Sequence, residues 1–138
     1  MPVILERDIE QGKRALENWR KVALEAFNSG INEMQINSEI LHIARTEEAL
    51  AVRFSLYALA NKAPGGGVEV RVAPWGAVKI LEGPASDPHN LTPPDVIELE
   101  PEVWLRLACG ITKWQQEYEA GNISACGERD NLSDILPL

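Results

Sequence analysis

Three glycines cut the last third of the chain, Gly110, Gly121 and Gly127, so that Pro101 to Leu138 has room only for short elements in a set order. Proline is favoured at the first position of a helix, where its missing N–H would go unpaired in any case, so Glu100-Pro101 marks a helix start. Val103, Trp104, Leu107 and Ala108 share one face at spacings of three and four, and Gly110 supplies a left-handed residue just past the end. The spacing predicts a short, one-sided helix. Thr112 then caps a second helix in which Trp114 and Tyr118 stack at i, i+4, with Gly121 as its stop. Ile123 to Cys126 alternates as a strand that Gly127 breaks. Leu132, Ile135, Leu136 and Leu138 form an apolar tail beside Asp130, Ser133 and Asp134.

Upstream, Leu16, Trp19, Ala23 and Ala26 recur at helical spacing between Asp8 and Phe27, and Asn28-Ser29-Gly30 ends that run. Residues 31 to 45 fit neither period, and short strand, irregular arm and short helix all remain open. Thr46 caps a helix to about Lys62, with Glu47 and Glu48 in the first turn where the helix dipole favours them. Turning 100° per residue places Glu48, Ser55 and Lys62 on one side of it and Arg53 with Ala49, Leu56, Tyr57 and Ala60 on the other. Val68, Val70 and Val72 alternate with Glu69 and Arg71, Ala73 to Gly76 turns the chain, and Ala77 to Leu81 completes a hairpin. Residues 83 to 95 read as a loop and Val96 to Leu99 as a third strand. The sum is an α+β fold: a mostly antiparallel sheet of four to five strands with helices over one face, plus an N-terminal helical extension. Residues 1–45 form the helix and arm that pack on a domain spanning 46–138, all one globular unit of a size that builds a core without help.

The chain carries 21 acidic against 13 basic side chains, a net charge of -8. That sign opposes the phosphate-backbone attraction on which nucleic-acid binding rests, and it disfavours anionic membrane surfaces. Lys13, Arg14, Arg20 and Lys21 share their helix with Glu10, Glu17 and Glu25 and read as a solvated, salt-bridged face. The apolar stretch from Ala49 to Ala60 is too short to cross a bilayer and contains Arg53, so no stable membrane insertion is expected. No signal peptide is visible at Met1 to Asp8, and the chain reads as cytoplasmic, with Cys109 and Cys126 reduced and buried.

No catalytic constellation emerges. His42 and His89 stand at no metal-ligand spacing from either cysteine, so no metal and no other cofactor is expected; His42 reads as a core or boundary residue and His89 as a solvated loop residue. Cys109 lies at a helix end, where the dipole raises a thiol pKa instead of lowering it. Gly65-Gly66-Gly67 follows a helix and precedes a strand with no Lys-Ser/Thr behind it, which makes it a flexible turn and not a phosphate loop. Asp95, Glu98, Glu100 and Glu102 alternate as on an exposed face.

The series Trp104-Leu-Arg-Leu-Ala-Cys-Gly110, Trp114 to Gly121, Asn122-Ile-Ser-Ala-Cys-Gly127 and Asn131 to Leu136 resembles the C-terminal half of sterol carrier protein 2-like domains. Ala51-Val-Arg-Phe54, Ala63-Pro-Gly65, Val68 to Val72, Pro74 to Val78 and Thr92-Pro-Pro94 look like the bacterial, stand-alone branch of that group. The resemblance spans roughly Thr46 to Leu138. It implies an apolar tunnel between sheet and helices, walled by Phe54, Tyr57, Trp75, Trp104, Leu107, Trp114 and Tyr118, and gated by Leu132, Ile135, Leu136 and Leu138. Each large aromatic buries about 150–250 Å², so each must face a core or an apolar ligand. Arg53 reads first as a partner for Glu69 or Glu98, and alternatively as a head-group anchor for an acyl ligand. The function implied is non-catalytic binding of an apolar small molecule, an acyl lipid. Its rivals are an interaction module with a filled core, working through a protein partner or a homodimer contact of residues 1–45, and an accessory domain to a separate enzyme.

Overall fold

The computed structural model describes residues 2–83, 94–126 and 131–138. Most of the loop expected over 83–95, with His89, and the Gly127 strand break lie outside the described residues.

Helix α1 (Ile9–Asn28) follows a single 3-10 turn at Glu6–Asp8 and ends at Gly30, whose φ is +99°. The arm then makes a second 3-10 turn, Glu33–Gln35, and a run of tight turns before helix α2 (Arg45–Lys62). Strands β1 (Val68–Val72) and β2 (Gly76–Ile80) form the expected hairpin, and β3 (Asp95–Leu99) follows. Helices α3 (Pro101–Ala108) and α4 (Trp114–Glu119) lead into β4 (Ile123–Cys126). The sheet order is β2-β1-β3-β4; the outer pairings are antiparallel and the central β1–β3 pairing is parallel.

Alternation on these strands sends Val68, Val70, Val72, Ile80, Ile97, Leu99 and Ile123 to one buried face. The opposite face is open to solvent and carries the Glu69–Arg71–Glu98 ion pairs, at 2.7 and 3.3 Å. Helix α2 lies between α1 and the sheet, so both of its sides are covered. The α1–α2 approach is close: a Cβ on Gly12 would stand 2.8 Å from Phe54 Cβ and 3.2 Å from the Leu50 carbonyl oxygen.

Two expected caps are not caps. Helix α2 starts one residue before Thr46, at an Ala44 N-cap with no side-chain bond. Thr112 spends its hydroxyl elsewhere, and α4 instead begins at Lys113, whose backbone N–H donates to Gln116 Oε1 at 3.3 Å. Helix α3 is buried on nearly every side, not on one face, with α2, the arm at Ile36 and the C-terminal tail all bonded or packed to it. The triple glycine is a close-packed crossing. A Cβ on Gly65 would fall 2.1 Å from the Leu81 carbonyl carbon, and the Gly67 N–H donates to Leu81 O at 2.6 Å.

Candidate functional site

The C-terminal tail folds back over the end of α3. Leu132 is buried at 1% exposure, the Leu138 N–H donates to Ala108 O at 3.1 Å, and Lys62 Nζ donates to Ile135 O at 2.8 Å and Pro137 O at 3.3 Å. Between this tail and the α3–α4 turn lies a groove of about 390 Å³. Leu107, Trp114, Leu136 and Pro137 wall it, and Thr112, Lys113, Gln115 and Ser133 stand around them. Its volume falls within the lower range of small-molecule sites. A larger concavity of about 630 Å³ opens where the outer sheet face meets α3, but Arg71, Glu98, Glu100, Glu102, Asn37 and Asn122 line it, and Arg71 already pairs with Glu98 there. It does not suit an apolar ligand.

Beside the groove sits a buried polar cluster that no sequence signal announced. Arg106 Nε and Nη2 donate to Glu117 Oε2 and Oε1 at 2.7 and 2.9 Å, and Nη1 donates to the Ile36 carbonyl at 3.0 Å. The Thr112 hydroxyl and the Asn122 amide donate to the same carboxylate at 2.6 and 2.9 Å. Burial acts to raise the Glu117 carboxyl, but the hydrogen bonds from Arg106, Thr112 and Asn122, with the Arg106 charge, outweigh it and hold the group below the usual carboxylate range. The cluster ties α3, α4 and the residues 31–45 arm into one body.

The sequence-derived wall residues do not gather in one place. Leu107, Trp114 and Leu136 meet at the groove. Trp104, Leu132 and the sheet-facing side of α2 belong to the core. Val52, Leu56, Leu59, Val70, Val72, Ile80, Ile97, Trp104 and Leu105 all have 0% exposure, so none of them borders a space that a water molecule enters. The region where the resemblance implies a tunnel is filled at these residues. Phe54 faces Gly12 across the α1–α2 crossing, with Tyr57 beside it at 6.1 Å between ring centroids. Tyr118 is 53% exposed.

Arg53 does not pair with Glu69 or Glu98, which lie with Arg71 on the open face of the sheet, away from α2. Its Nε donates to the Trp75 carbonyl at 3.1 Å, and the guanidiniums of Arg53 and Arg45 lie 5.8 and 4.9 Å from the Trp75 ring centroid. Neither Arg53 nor Trp75 lines the groove. His42 is exposed, at a φ of +58°, and not a core residue. Cys109 is buried, and burial pushes its thiol up to about 11 against the opposing charge and hydrogen bond of Arg20. That is the environment of an inert thiol. No helix among the described residues is long and apolar enough to cross a membrane.

Among known families, a model described as a bacterial SCP ortholog matches residues 44–138, well over half of the chain. No curated protein matches it. The matched span begins at the residue before α2 and holds the whole sheet, α3, α4 and the tail over the groove.

Proposed function

The chain belongs to the bacterial SCP ortholog family, a sterol carrier protein-like domain, and on that premise we propose that it is a non-catalytic binder of an apolar small molecule, an acyl chain lying in the groove between the α3–α4 turn and the C-terminal tail. The observation that carries this reading is the meeting of Leu107, Trp114 and Leu136 around an apolar groove, beneath a tail held by a few hydrogen bonds. Two of the seven expected wall residues, Leu107 and Trp114, and one expected gate residue, Leu136, border this groove, while Val52, Leu56, Leu59 and Trp104 leave no water-sized space beside them at the sheet–helix interface. Burying an acyl chain gains about 0.8 kcal/mol per methylene, roughly 6 kcal/mol gross for eight carbons, before association and ordering are subtracted.

Native mass spectrometry of gently purified protein, with lipid extraction, is expected to find a co-purifying acyl species. The Leu136→Asp variant, which puts a charge into the wall, is expected to lose it while melting like the delipidated wild type. A protein that carries no lipid and gains no heat stability from a series of C8 to C16 acyl chains would overturn the reading.

The filled sheet–helix interface favours one second reading, a module whose partner is a second copy. Leu24 and Phe27 are 43% and 45% exposed one turn apart on α1, within residues 1–45. Light scattering on the wild type and on Phe27→Glu separates the two: a dimer that the variant splits supports this alternative, and a monomer removes it.

A further inference from the structure

The four tryptophans differ in one respect. Trp19 Nε1 donates to Ser38 Oγ at 3.0 Å, Trp75 Nε1 to Glu48 Oε2 at 3.1 Å and Trp104 Nε1 to Ser55 Oγ at 2.8 Å. Trp114, only 5% exposed, has no hydrogen-bond acceptor for its indole N–H among the described residues. Buried tryptophans normally find such a partner, and an unsatisfied buried donor costs about 1–3 kcal/mol. The exception is the tryptophan that walls the apolar groove.

The charge around it is equally selective. On a chain with a net charge of -8, the groove lining contains no carboxylate and one cation, Lys113, which has no ion-pair partner among the described residues. The Thr112 hydroxyl, also in the lining, is already committed to Glu117. Lys113 and Trp114 are adjacent in sequence and both line the groove.

From this pairing of an orphan donor and a lone cation in an apolar groove, we infer that the ligand is a single acyl chain ending in a carboxylate, its head received by the Trp114 indole N–H and the Lys113 ammonium and its chain laid along Leu107 and Leu136. The inference rests on the groove being the binding site. It assigns Trp114 and Lys113 the choice of head group, and it gives Arg53, which lies outside the groove, no part in that choice.

Decanoate, methyl decanoate and decylamine share a chain and differ only in the head, so their dissociation constants for the full-length protein isolate the head-group contribution. Decanoate is expected to bind about tenfold more tightly than the ester and the amine, as a charge-assisted hydrogen bond allows. It is also expected to shift the ¹H–¹⁵N resonance of the Trp114 indole, identified by its absence in Trp114→Phe. Trp114→Phe keeps the ring and removes the donor, and Lys113→Met removes the charge; each is expected to shrink the preference for decanoate several-fold. Equal binding of the three heads, or an unmoved indole resonance in the wild type, overturns the head-group assignment and leaves the groove reading standing. If no decyl compound binds, the groove reading falls and takes this inference with it.

Discussion

Arg106 and Glu117 are opposite charges held out of water at 3% and 0% exposure, joined through two parallel hydrogen bonds. Removing one partner of such a pair strands the other charge, at a cost of about 3–5 kcal/mol, whereas replacing both with apolar residues of similar size costs far less. Arg106→Met is therefore expected to lower the urea midpoint by the equivalent of about 3–5 kcal/mol, and adding Glu117→Leu to restore most of it. The pH dependence follows from the same cluster. The Glu117 carboxyl is held below its ordinary 4.5 in the folded chain, so the stability it contributes is present above that pH and is lost as the pH falls through the folded value. Cys109 acts at the other end of the scale. Its thiol stands near 11 when folded against 9.0 ordinarily, so its contribution is intact below pH 9 and is lost as the pH rises from there towards 11. Urea midpoints against pH are expected to fall at both ends, with a flatter acid limb in Glu117→Gln and a flatter alkaline limb in Cys109→Ala.

At the scale of elements, α2 organises the rest. The stripe Glu48, Ser55 and Lys62 reads from the sequence as a helix side of its own, and in the structure it is a row of attachment points. Glu48 accepts from Ser38 and Trp75, Ser55 accepts from Trp104, and Lys62 holds the tail. Periodicity reports which residues share a side but not whether that side meets water, and here α3 meets the buried Ser55 while Lys62 stays exposed at its bonds to the tail. The same limit explains the misplaced caps. A threonine near a helix start is a local signal, and the Thr112 hydroxyl is drawn off by a carboxylate five residues ahead that only the packed fold brings within reach. The α1–α2 crossing supplies a third test. Alanine normally gains about 1 kcal/mol over glycine inside a helix, but a Cβ at Gly12 lands 2.8 Å from Phe54 Cβ and forces the helices apart, which costs about 1–3 kcal/mol. Gly12→Ala is accordingly expected to lower the melting temperature, where propensity alone would raise it.

For the whole molecule, an acyl ligand that binds the folded chain alone stabilises it by mass action. At a hundred times its dissociation constant the gain is about 2.7 kcal/mol, a rise of several degrees in melting temperature that Leu136→Asp is expected to abolish. The order of helices and strands, the hairpin, the buried sheet face and the turn at Gly110, with its φ of +76°, were all legible in the sequence, because each depends on periodicity and on glycine and proline within a few residues. Membership of the carrier family followed from the same ordered series. What lies between distant residues was not legible in that way: the β1–β3 parallel pairing, the Arg106–Glu117 cluster anchored on Ile36, the filling of the sheet–helix interface, and the selection of Leu107, Trp114 and Leu136 from the candidate wall and gate residues. Local pattern determines which side chains must leave water. Whether they meet one another or border an open groove depends on how closely separate elements approach, and only the tertiary structure decided that.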